Sequence, residues 1–139
     1  MLSRGTIRRR QGGATLMEVL VTLFVLSVGL LGFAGLLNKS LASNRDAYFR
    51  SQASILAHDL GERMRANRVG ALAGSYSMSS KASASGTDAV DWVNLVATTL
   101  PAGDAAVNTS ASGDSLSVTI TLRWSDGRAE RALTTQTAL

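Results

Sequence analysis

A single carboxylate, Glu18, stands at the head of a long uncharged run, directly after Gly12, Gly13, Ala14 and Thr15. An acid beside an apolar segment is costly, about +2.5–3.5 kcal/mol for a charge centred in a membrane helix, so it requires a partner. Two chemistries supply one. Thr15 and Glu18 have the T-x-x-E spacing of a capping box, which satisfies helix-end N–H groups and suits the helix dipole. Alternatively, cleavage between Gly13 and Ala14 makes Glu18 the fifth residue of a shortened chain and creates an α-amino group on Ala14, with an ordinary pKa of about 7.7–8.0. Among parallel helices, the ammonium of one copy can meet Glu18 of the next, and low dielectric strengthens that pairing. The two roles are compatible. The cap alone does not account for the glycines or for the basic residues ahead of them.

Elsewhere the chain is poor in reactive groups. It has no Cys and one His, which excludes disulfides, thiol chemistry and Cys-based zinc sites. His58, beside Asp59 and Glu62, reads as a surface helix residue, since metal sites need several ligands. Asp88, Asp91, Asp104 and Asp114 are scattered without calcium-loop spacing. There is no nucleophile–base pair and no phosphate-binding glycine loop, so nothing points to an enzyme, a metal or a cofactor. The net charge of +4 is equally local. Arg4, Arg8, Arg9 and Arg10 occupy the first ten positions, and from position 11 onward 10 basic residues face 10 acidic ones. A basic tag ahead of an apolar run is a targeting signature before it is a nucleic-acid footprint.

The element that must position Glu18 is the run itself. Val19 to Asn38 carries no charged side chain, and as a helix it spans about 30 Å, the hydrocarbon thickness of a bilayer. The preceding arginines place the N-terminus in the cytoplasm. A cleaved secretory signal is one reading, with Ser40-Leu41-Ala42 as its small-x-small site, although the run exceeds the usual 7–15 residues. A plain signal anchor is a second. The third is the Gly13/Ala14 cleavage that retains the helix. Gly29, Gly32 and Gly35 recur at spacing three. They form either a small-residue packing face or a segment able to unwind.

No Pro occurs before Pro101, and strong helix formers continue from Ser40 to Arg68, predicting one helix from about Thr15 to Asn67. Leu41, Tyr48, Phe49, Ile55, Leu56, Leu60 and Met64 read as one apolar stripe facing a globular head. Gly70 to Gly86 reads as a surface loop anchored by Tyr76. Asp88 to Leu100 is expected as a short helix capped by Asp88, with Trp92, Leu95, Val96 and Leu100 on one side and Pro101 ending it. Residues 105–112 suggest a weak edge strand. Ser115 to Trp124 alternates as a half-buried strand, and Asp126-Gly127 turns it into a polar return strand over Arg128 to Thr137. The fold class is therefore α+β, a long N-terminal helix on a small antiparallel sheet.

The Arg-rich leader, Gly13, the stretch Ala14-Thr-Leu-Met-Glu18 and the apolar helix together resemble the class III signal of type IV pilins and pseudopilins. The resemblance implies cleavage after Gly13 by prepilin peptidase, N-methylation of Ala14 and an assembly role for Glu18. It divides the chain into a leader (1–13), a transmembrane and assembly half-helix (14–38), an amphipathic half-helix (39–68) and a head (69–139). Family members usually carry Phe where Ala14 stands. The segment GERMRANR (61–68), followed by Tyr76, Trp92, Leu100-Pro101 with Gly103, and Trp124-Ser125-Asp126, resembles the PilV family of minor pilins across nearly the whole chain. Many relatives have Cys pairs in the head, whereas this head relies on packing alone.

That resemblance implies a minor pilin held in the inner membrane and then built into a pilus, promoting tip-complex formation, adhesion and twitching motility. Its partners would be other minor and major pilins, prepilin peptidase, the inner-membrane assembly machinery and the membrane. A minor pseudopilin of a type II secretion system shares the same N-terminal signal. A DNA-uptake pilin needs a basic stripe, which the balanced charge beyond Asn38 does not provide, so no nucleic acid is expected. A membrane-anchored periplasmic protein without a filament role is the remaining alternative. The arginines of ERMRANR read either as helix termination through the dipole or as a patch for an acidic neighbour.

Overall fold

The computed structural model describes residues 15–112 and 115–139. It separates into two compact units, one ending at Ser43 and the other comprising Asn44–Leu139. The elements are α1 (Leu16–Ala66), α2 (Arg68–Leu72), a 3-10 turn (Lys81–Ser83), α3 (Thr87–Thr99), β1 (Asp104–Ser112), β2 (Ser115–Ser125) and β3 (Glu130–Ala138). The strands form one antiparallel sheet in the order β1-β2-β3. The long helix and small sheet are the α+β, pilin-like fold read from the sequence.

In the first unit, α1 is helical from Leu16, and every side chain from Thr15 to Leu41 is exposed to the surroundings. It is long and apolar enough to cross a membrane. Within Asn44–Leu139 the same helix buries Ala53, Leu56, Ala57, Leu60, Gly61 and Met64. Those spacings of three and four are one narrow face. Phe49 packs at its margin. Leu41, Tyr48 and Ile55 do not join it, being 67%, 58% and 59% exposed. At 3.6 residues per turn they lie on roughly the opposite side of the helix. Within residues 44–66 the apolar residues of α1 thus fall on two sides, and only one is buried among the described residues.

The core closes around that face. Leu116, Val118, Ile120, Leu122 and Trp124 alternate inward from β2, as the sequence pattern requires. Trp92 is fully buried and donates its indole N–H to the Leu56 carbonyl at 3.0 Å, tying α3 to α1. Leu95, expected on the same side, is 42% exposed, and Val93 takes the inward position instead. The segment after α1 is more ordered than a surface loop. It contains α2, the 3-10 turn and a bridge between Met78 and Val107. β1 pairs with β2 along its full length, from Asp104↔Arg123 to Ser112↔Ser115. At the β2–β3 turn Gly127 has φ +83, and the Asp126 carboxylate accepts the N–H groups of Arg128 and Ala129, which hold its pKa below the usual value.

Candidate processing and assembly segment

Gly13 and Ala14, the expected processing pair, lie outside the described residues. Glu18 is in the first turn of α1, where a negative charge faces the helix N-terminus favourably. Its N–H donates to Thr15 Oγ1 at 3.3 Å and to the Thr15 carbonyl at 2.9 Å, which is the forward half of a capping box. The Glu18 carboxylate has no hydrogen bond or ion pair among the described residues. The cap therefore occupies the backbone of Glu18 and leaves its charge for another partner.

The rest of the segment conceals its polar atoms. Thr22 Oγ1 donates to the Glu18 carbonyl and Ser27 Oγ to the Leu23 carbonyl, both at 2.7 Å. Hydroxyls returned to the preceding turn are satisfied without water, as an apolar medium demands. Sequence reading passed over these two residues, although hydroxyls four residues from a helical carbonyl are a recognisable signal. At Gly29, Gly32 and Gly35 a Cβ would meet no heavy atom within 4 Å. The described residues give no steric reason for these glycines, each of which costs the helix about 1 kcal/mol relative to Ala.

In the head, a polar joint forms that no sequence spacing announced. Arg63 Nε donates to Asp59 at 2.8 Å and its Nη1 to Asp88 at 2.7 Å. Tyr76 Oη donates to the other Asp88 oxygen at 2.6 Å and accepts from Asn67 Nδ2 at 3.2 Å. The Tyr76 hydroxyl, followed by the Arg63 guanidinium, holds the Asp88 carboxyl below its ordinary pKa. Bonds to Asp88 and then Asp59 raise that of Arg63. Burial, and then its bond to Asp88, raises that of Tyr76. Asp88 is consequently not the cap of α3. Gly86, at φ +91, occupies that position, and Asp88 is the second residue of the helix, still at the favourable end of the dipole.

The same joint settles what ERMRANR does within the chain. Asn67 donates its N–H to the Arg63 carbonyl at 2.9 Å, ending α1, and its Oδ1 accepts from Gly70 at 3.2 Å, starting α2. Arg63 and Arg65 are engaged by Asp59, Asp88 and Glu62, so termination and cross-linking explain them better than a patch awaiting an acidic neighbour. His58 is exposed and 3.8 Å from Glu62.

Residues 8–34 match the family model described as the prokaryotic N-terminal methylation motif. No curated protein and no solved structure matches the chain. The matched stretch takes in Arg8, Arg9 and Arg10 of the leader, Gly13, Ala14, Glu18 and much of the apolar helix. With the long-helix α+β fold, it supports a type IV pilin-type protein, anchored by its N-terminal helix. The motif supports processing by prepilin peptidase and association with other pilins.

Proposed function

We propose that this chain is a minor pilin of the PilV kind. Prepilin peptidase removes residues 1–13 and methylates Ala14; residues 14–38 hold the precursor in the inner membrane and later pack within the filament. Residues 39–68 continue the helix into the head, 69–139. The new Ala14 ammonium of one subunit pairs with Glu18 of its neighbour and sets the axial register. With related minor pilins the subunit primes the pilus tip, and so serves assembly, adhesion and twitching motility.

The observation that carries this reading is the methylation motif over residues 8–34, coupled to a Glu18 carboxylate without a partner among the described residues. N-terminal mass spectrometry of the protein in its native host tests it. The expected mature chain begins at a methylated Ala14. A leader still attached, or a soluble head beginning after Ala42, overturns it. Deletion separates the pilus from the secretion role: loss of piliation with normal exoprotein secretion supports a minor pilin, and the reverse assigns a pseudopilin.

A further inference from the structure

Glu18 and Lys39 bracket the charge-free part of α1, and that spacing sets which side chains stand just outside a bilayer. With Asn38 at the hydrocarbon edge, the Cα atoms of Lys39, Arg45 and Arg50 lie about 1.5, 10 and 18 Å beyond it along the helix. The polar layer of one leaflet is about 5–7 Å thick. Helical side chains lean towards the helix N-terminus and cover the preceding turn, which for these three residues is the membrane side. One turn is about 5.4 Å. Lys39 and Arg45 therefore carry their charges into the polar layer, as long basic side chains do at helix ends, and Arg50 stays above it.

The chain supplies no counter-charge for them. Lys39, Arg45 and Arg50 are exposed and have no hydrogen bond or ion pair among the described residues. Between Glu18 and Asp59 the sequence holds one acid, Asp46. Its carboxylate is taken by Arg131 at 2.6 Å. Arg45 is also flanked by apolar surface. Leu41, four residues before it, and Tyr48, three after, share its side of the helix and are exposed. A cation between an aliphatic and a tyrosine side chain matches the layer where hydrocarbon meets headgroups, in which Tyr concentrates. The anions present at that depth when the helix inserts are lipid phosphates. A zwitterionic lipid carries its own ammonium beside the phosphate, so the net attraction is for an anionic lipid.

We infer that Lys39 and Arg45 each hold the phosphate of an anionic phospholipid in the leaflet that α1 leaves on its way to the head. Leu41 and Tyr48 lie against the same boundary. These contacts resist outward movement of the helix, which would carry both cations away from the headgroups. The inference rests on the membrane placement of α1 and not on the kind of filament the chain enters.

The test places the full-length protein in nanodiscs of equal phosphatidylglycerol and phosphatidylcholine and reads the ratio of the two lipids it retains by native mass spectrometry. The leader arginines also attract anionic lipid, so every chain compared carries Arg4→Gln, Arg8→Gln, Arg9→Gln and Arg10→Gln. This background chain is expected to retain phosphatidylglycerol preferentially. Lys39→Gln or Arg45→Gln should each lower the ratio about fivefold, which corresponds to about 1 kcal/mol for a cation near an anionic surface. Together they should lower it about tenfold or more. Arg50→Gln, equal in charge and higher on the helix, should leave it unchanged. An unchanged ratio in the Lys39→Gln/Arg45→Gln chain overturns the inference. An equal drop with Arg50→Gln does so too, since the attraction would then ignore depth. Dimers that Arg45→Gln dissolves would assign the cation to a second copy instead. Entry into nanodiscs without lipid preference overturns the lipid contacts alone, whereas failure to enter any bilayer overturns the membrane placement with them.

Discussion

Replacing Asp88 tests whether the head depends on its polar joint. Asp88 accepts from Tyr76 at 2.6 Å and from Arg63 at 2.7 Å. Asp88→Asn keeps the shape and one acceptor for Tyr76, but sets an amide donor against the guanidinium or forces the amide to choose between partners. A hydrogen bond to a charged group contributes about 1.5–3 kcal/mol. The side chains of Arg63 and Asp88 are 34% and 41% exposed, so solvent screening reduces that figure. The expected loss is about 1 kcal/mol for Asp88→Asn. Asp88→Ala also strips the acceptor from the buried Tyr76 hydroxyl and should cost about 2 kcal/mol. Both tryptophans, Trp92 and Trp124, are buried in the head, so urea unfolding followed by fluorescence reports it. The folded-state pKa of Asp88 is depressed. Its contribution is therefore fully present above the unfolded-state value, about 3.9, and is lost as pH falls through the lower folded value. Asp88→Asn should remove that acid-limb slope. An unchanged slope, or Arg63→Met and Asp88→Asn effects that simply add, would refute the coupling.

Glu18→Gln should leave membrane insertion intact, and even ease it, while sharply reducing incorporation into filaments in a pilus-shear assay; normal incorporation would exclude the register role. Ala substitutions at Gly29, Gly32 and Gly35 meet no heavy atom within 4 Å among the described residues and should each stabilise the helix by about 1 kcal/mol. Precursor levels should then be normal and filament yield reduced; normal yield would show that neither close packing nor unwinding is required of them. Ala102 has φ +51, in the left-handed region. Ala102→Gly relieves about 1 kcal/mol of strain against a smaller entropic penalty, so the urea midpoint should rise slightly, and a fall would contradict the strain.

Much of this protein follows from short-range pattern. An uncharged run headed by Glu18 and preceded by arginines dictates a membrane-length helix, because the backbone of such a run can satisfy itself only internally. Alternation from Leu116 to Trp124 dictates a strand with one wet face, and Asp126-Gly127 dictates its turn, each through neighbours two or three residues away. Residues competing for one role were another matter. Leu41, Tyr48 and Ile55 are as apolar as Leu56, Leu60 and Met64, and only contact with β2 and α3 decides which stripe this chain buries. Asp88 carries the spacing of a helix cap, yet Arg63 and Tyr76, 25 and 12 residues away, claim its two oxygens. The edge position of β3 is likewise invisible in its own residues, since an edge is defined by the strand that is not beside it. Propensity and periodicity act along the chain, whereas burial, ion pairing and strand neighbours are properties of the space into which the chain is packed.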